Sequence, residues 1–97
     1  MYRKILVGYD GSAASRKAFE TALEVLKAFI NETQAQTGKH ITPALSRTLQ
    51  LDALLVFHSA LCKAKAAGQL NAARVAADYA YYSGLVTSLG GTPKPPC

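Results

Sequence analysis

Residues 42–67, TPALSRTLQLDALLVFHSALCKAKAA, decide whether this chain is a helical domain or an α/β one. Thr42-Pro43 is a strong helix start: a hydroxyl at the cap, then proline at the first helical position, where its missing N–H is harmless. From there to Ala67 no residue breaks a helix. Leu51, Leu54, Leu55, His58, Leu61 and Cys62 fall on one helical face, and Leu45, Leu49, Ala53, Val56 and Ala60 on an adjoining one. A helix apolar on two faces is central in its bundle or lies against a second subunit. The rival reading makes Leu51 to His58 a buried strand. Helical phase is kept over some two dozen residues without glycine, and helix is the preferred reading.

Toward the C-terminus, Gly68 separates this element from a third helix expected over Gln69 to Leu89. Val75, Tyr79, Tyr82, Val86 and Leu89 repeat in steps of four and three, a narrow packing seam. Ala72, Ala76, Ala80 and Gly84 form a strip of small side chains where another backbone can approach. Two strips imply two packing partners, supplied by a three-helix bundle or a dimer. Gly90-Gly91 ends the helix, and residues 92–97, TPKPPC, read as a flexible proline-rich tail after a single domain over 1–91.

Toward the N-terminus, Phe19, Ala22, Leu23, Leu26 and Ile30 recur at three- and four-residue spacing, widened by Val25 and Phe29, and Gly38 is a natural stop. That first helix is expected to begin at Ser12 or Ser15. Before it, Ile5, Leu6, Val7 and Tyr9 make a short strand-like run closed by the turn Gly8-Tyr9-Asp10-Gly11-Ser12. A single strand needs partners for its backbone groups. Its simplest partner is the same strand in a second copy; otherwise it is an extended arm over the helices.

This opening stretch, with Arg3-Lys4, Ile5-Leu6-Val7 and Asp10-Gly11-Ser12, resembles the first strand, loop and helix of the universal stress protein family, from Met1 to about Lys27. The resemblance implies an α/β fold and, in members that bind ATP, an adenine and ribose pocket built partly by this loop. Carried over by residue, it points to Val7, Gly8, Tyr9, Asp10, Gly11 and Ser12 as a nucleotide site for ATP or AMP, and glycine with helix-start N–H groups suits that chemistry. The later glycine-rich phosphate loop of those members has no counterpart here: Gly90-Gly91-Thr92 is a fragment at the wrong end of a helix. The structural alternative for Asp10-Gly11-Ser12 is a turn and helix cap.

Composition narrows the function. With 49% hydrophobic residues the chain can build a core, and no apolar run approaches the length of a membrane span. The run after Arg3-Lys4 is too short for a secretory signal, so the expected location is cytoplasmic. The net charge of +5 is scattered rather than concentrated on one face or interleaved with aromatics, which disfavours nucleic acid as a partner. Cys62 and Cys97 lack metal-site spacing and no metal is expected: Cys62 reads as a core residue and Cys97 as an exposed thiol. His58 reads as a core or interface histidine with its ring hydrogen-bonded, and His40 as a solvated loop residue. No nucleophile–base pattern appears, and Glu20 with Glu24, beside Lys17 and Lys27, reads as solvated outer-face charge, so no catalytic residue is assigned.

The expected architecture is therefore mostly α: a three-helix bundle-like domain with one N-terminal β-strand or extended arm, the alternative being a truncated α/β universal-stress-protein-like fold. The expected function is a small non-enzymatic interaction or regulatory protein acting as a homodimer, without a cofactor, its interface drawn from Ile5, Val7, Tyr79, Tyr82 and Val86. A nucleotide-binding stress-response protein is the alternative, and a weak nucleic-acid-binding protein a second one.

Overall fold

The computed structural model describes residues 13–97, with side chains from Arg16 onward. Three helices fill it: α1 (Ala13–Gln36), α2 (Pro43–Ala66) and α3 (Ala72–Ser88). The domain is mostly α, and among the described residues there is no strand. Leu51 to His58 lies in the middle of α2, so the strand alternative for this segment is excluded.

The sequence punctuation sets the boundaries. Thr42 caps α2 with its side chain accepting from the Leu45 N–H, and Asn71 caps α3 by accepting from Arg74 N–H. The third helix thus starts at Ala72 rather than Gln69, because Asn71 satisfies an orphan amide and the residues before it do not. Gly38, Gly68 and Gly90 follow the three helices and have positive φ (81°, 70° and 82°), the left-handed conformation that closes a helix without a Cβ clash. Arg47 on α2 donates from Nε to the Leu89 carbonyl at 2.6 Å, tying down the end of α3.

The short 37–42 turn folds α1 and α2 into an antiparallel hairpin, and α2 packs on both α1 and α3. It is the central helix, but only part of its two apolar faces is covered: Leu45, Leu55 and Val56 stay exposed. Leu23 and Ile30 from α1, Leu54, Phe57 and Leu61 from α2, and Tyr82 and Val86 from α3 make the core. Each large apolar side chain buried there contributes roughly 1.5–3 kcal/mol. Near the hairpin turn the interior becomes polar: Gln34 Nε2 donates to Gln50 Oε1, Gln50 Nε2 donates to Ser46 Oγ, and Ser46 bonds Thr37. Buried Ser46 and Gln50 are thereby satisfied.

Two expectations about faces are corrected. Val25 and Phe29, assigned to the buried stripe of α1, are 61% and 46% exposed, because a 100° step places them beyond the edge that meets α2. The small-residue strip Ala72, Ala76, Ala80 and Gly84 is exposed too: α3 spends its seam on α2, and no helix among the described residues covers its other side.

Candidate functional site

Ile5, Val7, Gly8, Tyr9, Asp10, Gly11 and Ser12 lie outside the described residues. Of the other residues assigned to an interface, Tyr82 and Val86 are buried in this chain's own core, and Tyr79 is half-buried beside them. The tyrosine helix faces its own tail. Tyr79 Oη donates to the Lys94 carbonyl at 2.7 Å, Lys94 N–H donates to Tyr82 Oη at 2.8 Å, and His58 Nε2 bonds the Pro95 carbonyl at 3.0 Å. The His58 ring sits 4.8 Å from that of Tyr82 and 6.3 Å, edge-on, from that of Tyr79. A disulfide between Cys62 and Cys97, with Cα atoms 5.4 Å apart, fixes the tail to α2. This corrects the assignment of Cys62 as a core residue with no chemistry of its own and of Cys97 as a free thiol. Beside the tail, Leu70, Val75, Tyr79 and Pro96, with Lys65 at the rim, line a largely apolar cavity of about 480 Å³.

A second constellation joins α1 to α3. Asp78 is only 2% exposed and takes two charged donors: Lys27 Nζ at 3.1 Å on one oxygen and Arg74 Nε at 2.8 Å on the other. Arg74 also reaches Glu24 at 3.3 Å and Glu20 at 3.7 Å. The hydrogen bond that Arg74 donates to Asp78, with the negative charge of all three carboxylates, raises the Arg74 pKa above its ordinary value against the opposing effect of burial. Lys27 Nζ lies 5.0 Å from the centre of the Tyr81 ring, a cation–π distance. The Tyr81 hydroxyl is buried with no partner among the described residues. Desolvation first, and the Glu24 charge second, push its pKa up. Glu20, Glu24 and Lys27 are therefore not a free outer face, as their spacing along α1 implied; they meet one cation, Arg74, and one carboxylate, Asp78, from α3. Between Arg16, Glu20, Gln69 and Arg74 the surface opens into a polar cavity of about 470 Å³. Arg74 is neutralised there by three carboxylates, which makes the cavity a poor anion site.

A third feature is apolar. On α1, Lys27 and Glu24 turn toward α3; on α2, His58 and Arg47 do. Phe29 and Val56 lie roughly 200° round their helices from Lys27 and His58, on the opposite side of the hairpin. They stand at nearly the same level, since Gln34 pairs with Gln50 and Thr37 with Ser46. Val56 is 56% exposed, and Leu45 on α2 is exposed as well.

A family model described as the universal stress protein family matches residues 1–79. The chain belongs to the universal stress protein family. The match takes in α1, α2 and α3 as far as Tyr79, well past the opening motif of Met1 to about Lys27. No curated protein and no solved structure matches the chain.

In this universal stress protein the matched region holds residues 7–12, the α1–α3 ion network and the apolar hairpin face, whereas Tyr82, Val86, the tail and Cys97 lie beyond it. Sequence reasoning missed the Cys62–Cys97 pair and Asp78. A separation of 35 residues with no motif gives no signal for the first. For the second, a signal was present: an Asp at i+4 from Arg74, within an otherwise apolar helix, needs buried cationic partners.

Proposed function

We propose that this universal stress protein family chain is a small non-enzymatic regulatory protein that works by protein contact and associates as a homodimer through the open face of its helical hairpin. The observation that carries this reading is the apolar patch of Phe29 and Val56, with Val25 one turn from Phe29 on α1, on the side of α1 and α2 that α3 leaves uncovered. Apolar side chains grouped on one helical face lose less to water when a partner covers them. A second copy presents the same patch, and a two-fold axis lets it cover itself. The cytoplasm is the setting we propose.

Light scattering after size exclusion tests this on the full chain. Twice the chain mass is expected, with Val56→Glu and Phe29→Glu each giving a single-chain mass while far-UV circular dichroism stays unchanged. A monomeric parent protein at tens of micromolar sinks the reading.

Family membership favours a second reading, nucleotide binding at Val7, Gly8, Asp10, Gly11 and Ser12. Isothermal titration with ATP and AMP, repeated on Asp10→Ala, decides it: heat lost in the variant supports a site, and no heat with the parent chain ends that reading.

A further inference from the structure

His58, Cys62 and Cys97 bring one imidazole and two sulfurs together, their ligand atoms all within 4.8 Å of one another. His58 and Cys62 are i and i+4 on α2, so both side chains leave the same helical face. Cys97 arrives from the tail, held by the bonds of Tyr79, Tyr82 and His58 to Lys94 and Pro95. A carbonyl oxygen only accepts, so the His58 bond to Pro95 requires the proton on Nε2, and a neutral ring then keeps its lone pair on Nδ1. A histidine with one nitrogen anchored to a carbonyl and the other left as a base is the arrangement that metal-ligating histidines adopt.

The spacing suits a small soft cation. Tetrahedral Zn²⁺ with bonds of about 2.05 Å to nitrogen and 2.3 Å to sulfur separates its nitrogen and sulfur ligands by about 3.6 Å and two sulfurs by about 3.8 Å. Cys62 Sγ already stands 3.9 Å from His58 Nδ1 and 3.7 Å from Nε2. Breaking the disulfide frees the two sulfurs to part to that separation, and the tail beyond α3, which has no regular secondary structure, supplies the movement that settles Cys97 against His58 and Cys62. Cys97 is exposed, so a fourth position opens to water.

We propose that the reduced chain holds one thiophilic divalent cation of the Zn²⁺ class through His58, Cys62 and Cys97, and that the disulfide is the metal-free form of the same site. The two forms exclude each other because each needs the same sulfur electrons. A low-molecular-weight disulfide is sufficient oxidant. One cysteine thiolate attacks it and releases one small thiolate; the second cysteine thiolate then attacks the mixed disulfide and releases the other. The Cys62–Cys97 bond has formed, the two electrons reside on the departing thiolates, and the cation leaves with its sulfur ligands gone. Soft thiolates with imidazole select Zn²⁺ over Mg²⁺ or Ca²⁺.

The test is anaerobic titration of the full chain, reduced by a phosphine, with Co²⁺ as the spectroscopic probe and Zn²⁺ in competition with a chelating dye. One Co²⁺ per chain is expected, with thiolate-to-cobalt charge-transfer absorption and tetrahedral ligand-field bands, displaced by Zn²⁺. The oxidised chain should show none of this. Cys97→Ser should abolish the charge-transfer signal or halve it with much weaker binding, and His58→Gln should weaken binding roughly tenfold or more. Circular dichroism on each variant separates lost ligation from lost fold. Cys97, outside the core, is the variant least able to unfold the chain. Absence of Co²⁺ binding to the reduced parent, an undiminished affinity in Cys97→Ser, or half a cation per chain bridging two copies would each overturn the proposal.

Discussion

Lys27 Nζ on α1 and Asp78 Oδ1 on α3 stand 3.1 Å apart, the buried end of an ion network that joins the two helices and also holds Arg74, Glu24 and Glu20. The Asp78 side chain is 3% exposed, while Lys27 and Arg74 keep 26% and 29% of theirs in solvent. That asymmetry separates a costly substitution from a cheap one. Removing one member of a fully buried pair costs about 3–5 kcal/mol by stranding the other charge, but here the two cations can partly rehydrate.

Asp78→Ala is therefore expected to destabilise the chain by about 2–3 kcal/mol. Glu24→Gln and Glu20→Gln, at far more exposed carboxylates, should cost about 0.5 kcal/mol or less. Urea unfolding of the three variants checks the ranking. Equal losses in all three would mean that Asp78 gains nothing from its burial between two cations.

The helices were legible because their ends are written in local chemistry. Thr42-Pro43, Gly38, Gly68 and Gly90 each act within a few residues of themselves, and the structure uses each one where the sequence puts it. The choice of helix over strand for Leu51 to His58 rested on the same kind of signal, an unbroken 3.6-residue phase. What failed to show was anything that depends on how one helix is rotated against another. Phe29 and Val25 fit the apolar period of α1 yet stay open, because the width of the covered stripe is set by where α2 and α3 sit. Glu20 and Glu24 looked solvated because Arg74 is some fifty residues away. The disulfide depends on the path of a proline-rich tail across α2 and α3, and a tail without periodicity carries no sign of its path.

Cap chemistry gives a sharper expectation. The Thr42 side chain accepts from Leu45 N–H at 3.1 Å, and Asn71 Oδ1 accepts from Arg74 N–H at 2.8 Å. Thr42→Ala and Asn71→Ala should each cost about 1 kcal/mol, and Thr42→Ser much less. Thermal unfolding followed at a helical wavelength tests both. An Asn71→Ala variant as stable as the parent would move the start of α3 back toward Gln69.

The Cys62–Cys97 bond closes a loop of 35 residues. The chain-entropy account gives about 3–4 kcal/mol for a loop of that size, so Cys97→Ser is expected to lower stability by up to that amount under oxidising conditions and to change little under reducing ones in the absence of metal. Before reduction, alkylation should add no mass to the folded or the unfolded chain; after reduction, two labels should appear. A label on the untreated, unfolded chain would show the thiols unpaired.

Tyr81 supplies the pH dependence. Its hydroxyl is buried without a partner among the described residues, and desolvation with the Glu24 charge holds its pKa above the ordinary value. In the unfolded chain the phenol ionises near pH 10. Below that pH both states keep the proton and Tyr81 adds no slope. Above it the unfolded chain gains from ionisation while the folded chain does not, so stability falls as pH rises toward the folded pKa. Tyr81→Phe removes both the unpaired hydroxyl and the titration. It should be neutral or stabilising by up to about 1 kcal/mol at pH 7, since no hydrogen bond is lost, and its stability should fall less steeply than the parent's between about pH 9 and 11. Urea midpoints of the two proteins across that range make the comparison. Parallel curves would mean that the phenol ionises as readily in the folded chain as in the unfolded one, and a large loss at pH 7 would mean that the hydroxyl has a partner after all.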